Sequence, residues 1–191
     1  VTARTETETT RGRIIAAAVE LTTSEGWAAV TMARLADDAG VSRQTVYNEV
    51  GSKSGLAEAM VLAELERFLA VVDSGFDAHP DDLRAALHTA VRGVLREGRA
   101  NALLREVVAP GGGELLPPLT TDAGALLETA KAVVAVRLSA YDLAVHGRTR
   151  DAAVDMIVRT VLGHVIQPSG PVDRSAEAIA ELAAHLLTTS G

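Results

Sequence analysis

Within six residues, Arg43, Gln44, Thr45, Tyr47 and Asn48 collect side chains that donate hydrogen bonds to polar and anionic partners. An arginine forks onto the two acceptors of a guanine edge, and a glutamine matches the donor and acceptor of adenine. Threonine and tyrosine hydroxyls reach phosphate oxygens. That chemistry is the reading of duplex DNA, provided one short helix carries the five residues into a groove. Lys53, at the start of the following helical segment, adds its charge to the positive end of that helix.

The elements needed to position these residues are legible around them. The stretch Thr31 to Lys53, TMARLADDAGVSRQTVYNEVGSK, reads as two short helices joined by a glycine turn. Thr31 suits the N-cap of the first, with Val30 and Leu35 at the spacing of a hydrophobic staple. Ser42 suits the N-cap of the second, with Val41 and Val46 in the same relation. Ala36 is small where the helices must cross, Gly40 fits a left-handed turn, and Val41 and Val46 face inward. Upstream, Ile14, Ala18 and Leu21 mark one face of a further helix that stops at Glu25-Gly26, with Trp27 as core anchor. Residues 1–10, rich in Thr and Glu, lack apolar periodicity and read as a disordered arm, from which Arg4 could touch a groove.

The 191 residues suffice for a small reading unit and one larger core. No apolar run approaches the ~20 residues of a membrane span, and the polar start does not resemble a signal peptide, so a cytoplasmic protein without membrane partners is expected. The absence of cysteine excludes disulfides and cysteine-based zinc sites, and fits a reducing compartment. Net charge is −7, and from Val1 to Met60 six cations (Arg4, Arg11, Arg13, Arg34, Arg43, Lys53) face eight acids. Such a balance argues against coating DNA non-specifically, and leaves specific binding to a few well-placed cations and helix N-termini.

Beyond the reading unit the periodicity stays helical, and no strand run or internal repeat is found. Ser52 suits the cap of a helix past Leu62, Leu65 and Leu69 to Ser74-Gly75. Pro80 suits the opening of another through Leu83, Leu87, Val91 and Leu95 to Gly98, followed by a short one from Asn101 to Val108. Pro110-Gly-Gly-Gly and Pro117-Pro118 then break the chain; with no following Gly-Lys-Ser/Thr, the triple glycine reads as a loop and not a phosphate cradle. A long helix is predicted from Leu119 to about Val145, closed by His146-Gly147, then one opening at Thr149. A last helix follows the Pro168 to Pro171 break.

From Arg11 to Ala63 the sequence resembles the TetR family of bacterial transcriptional regulators. The resemblance lies in Glu25-Gly26-Trp27, Val30-Thr31, Leu35-Ala36, Ala39-Gly40-Val41-Ser42, Thr45-Val46-Tyr47 and Ser52-Lys53 with Leu56. It implies an all-α fold of about nine helices. Residues 11–55 would form a three-helix helix-turn-helix domain, and residues 56–191 a helical domain that binds an effector and dimerises. It further implies that Thr31, Tyr47 and Lys53 contact phosphates, and that Arg43, Gln44 and Thr45 approach bases or phosphates of a pseudo-palindromic operator. The sequence departs from the family pattern at Asn48-Glu49-Val50, where an aromatic residue or His followed by Phe is common. It departs again at Gly55, which replaces an acid and softens the start of the connecting helix by about 1 kcal/mol relative to alanine.

In the larger domain, His88 and His146, with Arg137 and Tyr141 one turn apart, are the polar groups expected to border an effector cavity. The five histidines form no metal or catalytic pattern, so no enzyme, cofactor or metal is expected. Low aromatic content favours an apolar aliphatic ligand. The stripe Val154, Ile157, Val158, Val161, Leu162 and Val165 is too wide for one side. With Ile179, Ala183 and Leu186 it predicts a four-helix homodimer interface. The expected function is therefore a ligand-released homodimeric repressor. The acidic balance and Glu49 keep open a small-molecule-binding helical protein with weak or no DNA binding.

Overall fold

A computed structural model of the chain describes residues 9–108 and 123–189, which form nine α-helices, one 3-10 turn and no strand. In order these are α1 (Thr10–Glu25), the 3-10 turn (Trp27–Ala29), α2 (Met32–Ala39), α3 (Arg43–Val50), α4 (Lys53–Asp77), α5 (Leu83–Ala100) and α6 (Ala102–Val108). After the undescribed stretch come α7 (Ala123–Leu138), α8 (Gly147–Ile166) and α9 (Val172–Thr188). None of the described helices is long and apolar enough to cross a membrane. The all-α architecture with an N-terminal helix-turn-helix is as the sequence implied. Most of the arm read into residues 1–10, and the glycine–proline loop of residues 110–118, lie outside the described residues.

The chain divides into two compact units, with one boundary between Glu64 and Leu65 inside α4 and another between Leu104 and Arg105 inside α6. In the first unit α1, α2 and α3 close around Ile14, Ala18, Leu35 and Val46, all fully buried. Thr22, buried among them, satisfies its hydroxyl on the Ala18 carbonyl at 2.6 Å, so it adds no unpaired polar group. Helix α1 begins at Thr10, one residue before the Arg11 start that the sequence suggests, because Thr9 accepts from the Gly12 amide at 3.0 Å and caps it.

The second unit is built on α5, whose buried residues Ala86, Leu87, Ala90, Val91, Val94 and Leu95 recur at helical spacing and pack chiefly on α9. Alanines on both helices, with Ala176, Ala180 and Ala183 on α9, let the backbones approach closely. Ion pairs flank this seam: Arg84 with Glu177, and Arg92 with Asp173 at 2.5 Å.

Four predicted boundaries move. Helix α5 opens at Leu83 and not at Pro80, because Asp82 caps it by accepting from the Ala85 amide at 2.9 Å. The helix continues through Gly98, whose missing side chain makes room for Val165 of α8. Helix α4 runs past Gly75 to Asp77. The long helix expected to reach Val145 stops at Leu138. Leu143 and Val145 are buried in alternation, as extended chain requires, and the Ala144 amide donates to the Leu187 carbonyl at the end of α9. His146 therefore precedes α8 instead of closing α7.

Candidate nucleic-acid interface

The local geometry of the reading unit follows from its caps. Thr31, in extended backbone, accepts from the Arg34 amide at 3.2 Å and starts α2. Gly40 ends it at φ +65°, a left-handed conformation in which a β-carbon is unfavourable, and the next amide, Val41, donates to the Ala36 carbonyl at 2.9 Å. Ser42 then accepts from the Thr45 amide at 3.0 Å and turns the chain into α3. Val46 and Val50 bury the inner face of that helix.

The outer face of α3 gathers Arg43, Gln44, Tyr47 and Asn48, all exposed; Tyr47, 51% exposed, is an aromatic left in solvent on an otherwise polar surface. They form two rows one helical turn long, Arg43 with Tyr47 and Gln44 with Asn48. Gln44 Nε2 donates to Asn48 Oδ1 at 3.0 Å. Thr45 is half-buried and its hydroxyl lies 2.8 Å from that of Ser42, so it sits at the rim of this face.

Two of the remaining residues carry fold contacts besides any DNA role. Thr31 is exposed but committed as a cap. Lys53 turns back on its own unit: its ammonium donates to the Trp27 carbonyl at 2.9 Å and lies 4.8 Å from the Trp27 ring centroid. Sequence reading missed Arg11, which donates to the Glu49 carbonyl and ties α1 to the end of α3. It also missed the fork of Arg34 on Glu25, at 2.7 and 2.5 Å, which holds the Glu25 carboxyl below the usual carboxylate range. No local spacing could have signalled either. Gly55 also has a packing reason: a β-carbon there would lie 2.4 Å from the Val50 carbonyl oxygen.

Comparison with known proteins decides what this face belongs to. Residues 82–185, over half of the chain, match the bacterial tetracyclin repressor C-terminal domain, and residues 14–60 match the bacterial regulatory proteins of the tetR family. The chain belongs to the TetR family. The HTH-type transcriptional regulator AlkX of Mycobacterium tuberculosis (strain ATCC 25618 / H37Rv) is 30% identical over 162 residues, 83% of this chain and 75% of that one. The crystal structure of the TetR family repressor AlkX from Dietzia sp. strain DQ12-45-1b is similar with a TM-score of 0.74 and 32% identity, covering 91% of this chain and 96% of that one. The fatty acid degradation regulator FadR from Bacillus halodurans shares the fold alone, with a TM-score of 0.57 and 16% identity over 91% of this chain and 94% of that one. This TetR-family chain is thus a DNA-binding transcriptional regulator and not an enzyme.

In the second unit of this TetR regulator, the four expected pocket residues have different neighbourhoods. Arg137 donates to Asp73 at 2.6 Å and to Asp77 at 2.7 Å, fastening α7 to the end of α4. Tyr141 donates to the His79 carbonyl at 2.7 Å and meets Phe76 edge-on at 6.0 Å, and burial pushes its phenol up. His88 stands 3.6 Å from Glu177 at a surface depression of about 190 Å³, lined also by Asp82, Arg84 and Ala85. His146 is exposed.

The expected dimer stripe divides. Val154, Ile157, Val158 and Ala183 belong to the chain's own core, while Ile179 joins Val91, Leu95 and Ala176 in a second cluster against which Val161 and Val165 pack. Only Leu162 and Leu186 of the nine are exposed, accompanied by Met156, Ile166 and Leu182. The stripe is wide because α8 is covered by α5, α7 and α9 of its own chain.

Proposed function

We propose that this regulator is a cytoplasmic homodimeric repressor, released from a pseudo-palindromic operator by a small aliphatic molecule bound in its C-terminal unit. The observation that carries this reading is the 32% identity, over 91% of the chain, to the Dietzia AlkX repressor, a protein implicated in n-alkane biodegradation. Dimerisation is supported by the exposed Met156, Leu162 and Ile166 of α8 and Leu182 and Leu186 of α9. Apolar area gains about 25 cal/mol per Å² on burial, and a two-fold axis lets one such patch cover its own copy. Two copies then address half-sites at least one helical turn, roughly 34 Å, apart. An effector that spreads or closes the recognition helices weakens binding, with a coupling of about 1 to 3 kcal/mol typical of such linkage.

The test is a gel-shift titration against DNA upstream of the protein's own gene, repeated with an n-alkane and a fatty-acid series. Sequence-selective, salt-sensitive binding that weakens with one chain-length class is expected. Binding unaffected by every aliphatic compound overturns the effector assignment, and no selective shift at any concentration overturns the repressor.

A further inference from the structure

The hydrogen bond between Gln44 and Asn48 has a consequence for which base the recognition helix reads. The two residues lie one turn apart on the exposed face of α3, and Gln44 Nε2 gives one amide proton to Asn48 Oδ1 at 3.0 Å. Gln44 keeps its Oε1 acceptor and its second Nε2 proton, one acceptor beside one donor on a single planar group. Adenine presents the complement in the major groove, the N6 donor beside the N7 acceptor. No other base edge there offers that pair.

An unrestrained glutamine loses more rotamer freedom on binding than most side chains. The bond to Asn48 removes much of that freedom before DNA arrives, as pre-organisation does in other interfaces. Asn48 has one of the two Oδ1 lone pairs engaged by Gln44, and turning its amide onto a base edge would break that bond. We infer that Gln44, held by Asn48, reads one adenine in each half-site, and that Asn48 acts as a positioning residue. This rests on the DNA-reading assignment of α3 and deepens it to a base.

The experiment selects binding sites for the full chain from a random-sequence duplex library, then measures affinity for every single-base variant of the enriched half-site. Gln44→Ala identifies the position that Gln44 reads. At that position the wild type is expected to favour adenine by about tenfold or more, the size of a good bidentate contact. Asn48→Ala should cut this preference to a few-fold. Asn48→Asp keeps an acceptor for the Gln44 amide, so it should retain the preference while weakening binding to all sequences alike by its charge. An unchanged urea midpoint, read from the emission of the single tryptophan, checks that each variant folds.

Equal loss of the adenine preference in Asn48→Asp and Asn48→Ala would place Asn48 itself on the base and overturn the inference. So would an undiminished preference in Asn48→Ala, or a Gln44-dependent position that is not adenine. A library with no enriched sequence overturns the DNA-reading assignment as well, which separates the two failures.

Discussion

The Lys53 ammonium is held over the Trp27 ring, 4.8 Å from its centroid, while donating to the carbonyl of the same residue at 2.9 Å. One side chain thus joins the first turn of α4 to the turn that follows α1. Cation–π contact and a charge-assisted hydrogen bond are each worth about 1 kcal/mol or somewhat more when partly buried. Lys53→Met should destabilise the first unit by about 1 to 2 kcal/mol without any DNA present, read from the urea midpoint of Trp27 emission. An unchanged midpoint accompanied by weaker operator binding would assign Lys53 to DNA alone.

Gly55 has a sharper role than a soft helix start. A β-carbon there would sit 2.4 Å from the Val50 carbonyl oxygen, so the first turn of α4 must move away from the end of α3 to admit one. Gly55→Ala should therefore destabilise the first unit by about 1 to 3 kcal/mol, the range for forced overpacking, although alanine is the better helix former. A variant as stable as the wild type, or more stable, would return the glycine to the role of flexibility.

These two residues mark where sequence reasoning stops. Thr31, Gly40, Ser42 and Val46 were legible because caps, turns and periodicity are local, and the structure places each as its spacing requires. The partners of Lys53 and Arg11 lie 26 and 38 residues away, and nothing in their own surroundings announces them. The end of α7 was hidden for a related reason: Leu143 and Val145 are as apolar as a helical face, and the Leu187 carbonyl that accepts from the Ala144 amide between them lies 43 residues on. The width of the α8 stripe suggested a second subunit, whereas three helices of the same chain take up most of it.

The seam between α5 and α9 predicts an acid sensitivity. Arg92, hydrogen-bonded to Asp173, holds that carboxyl below the usual carboxylate range. Above that range Asp173 is ionised in both folded and unfolded chains and its full contribution is present. As pH falls from the ordinary value toward the lowered one, the unfolded chain takes up the proton first and stability is lost. Thermal midpoints measured from pH 6 downward should fall less steeply for Asp173→Asn than for the wild type. Because the pair is exposed, the difference should be small and fade in high salt. Parallel curves at low salt would remove the seam from the account of acid stability.

The exposed apolar residues predict a separation between folding and assembly. Leu182 is 70% exposed in the single chain, so Leu182→Asp should leave helix content by circular dichroism unchanged while converting the proposed dimer to monomers in sedimentation. Ile179, three residues earlier and buried, should behave oppositely: Ile179→Asp places an unpaired charge in the core and should unfold the C-terminal unit. Leu182→Asp that sediments as the wild-type dimer would move the interface elsewhere.

The salt dependence of operator binding follows from how the cations of the reading unit are used. Arg34 is forked on Glu25, Lys53 is held at Trp27 and Arg11 is bonded to the Glu49 carbonyl. Arg13 and Arg43 are exposed, and neither guanidinium makes a hydrogen bond or ion pair among the described residues. Counting the described residues alone, two such cations per chain give four in the proposed two-fold dimer. At roughly 0.9 counterions released per neutralised phosphate, the log–log slope of affinity against salt should be about −4, shallow beside the roughly −10 of a repressor that neutralises about ten phosphates. Arg43→Gln, present in both subunits, should bring it to about −2. A slope near −10, or one that Arg43→Gln leaves unchanged, would mean that other cations carry the phosphate contacts.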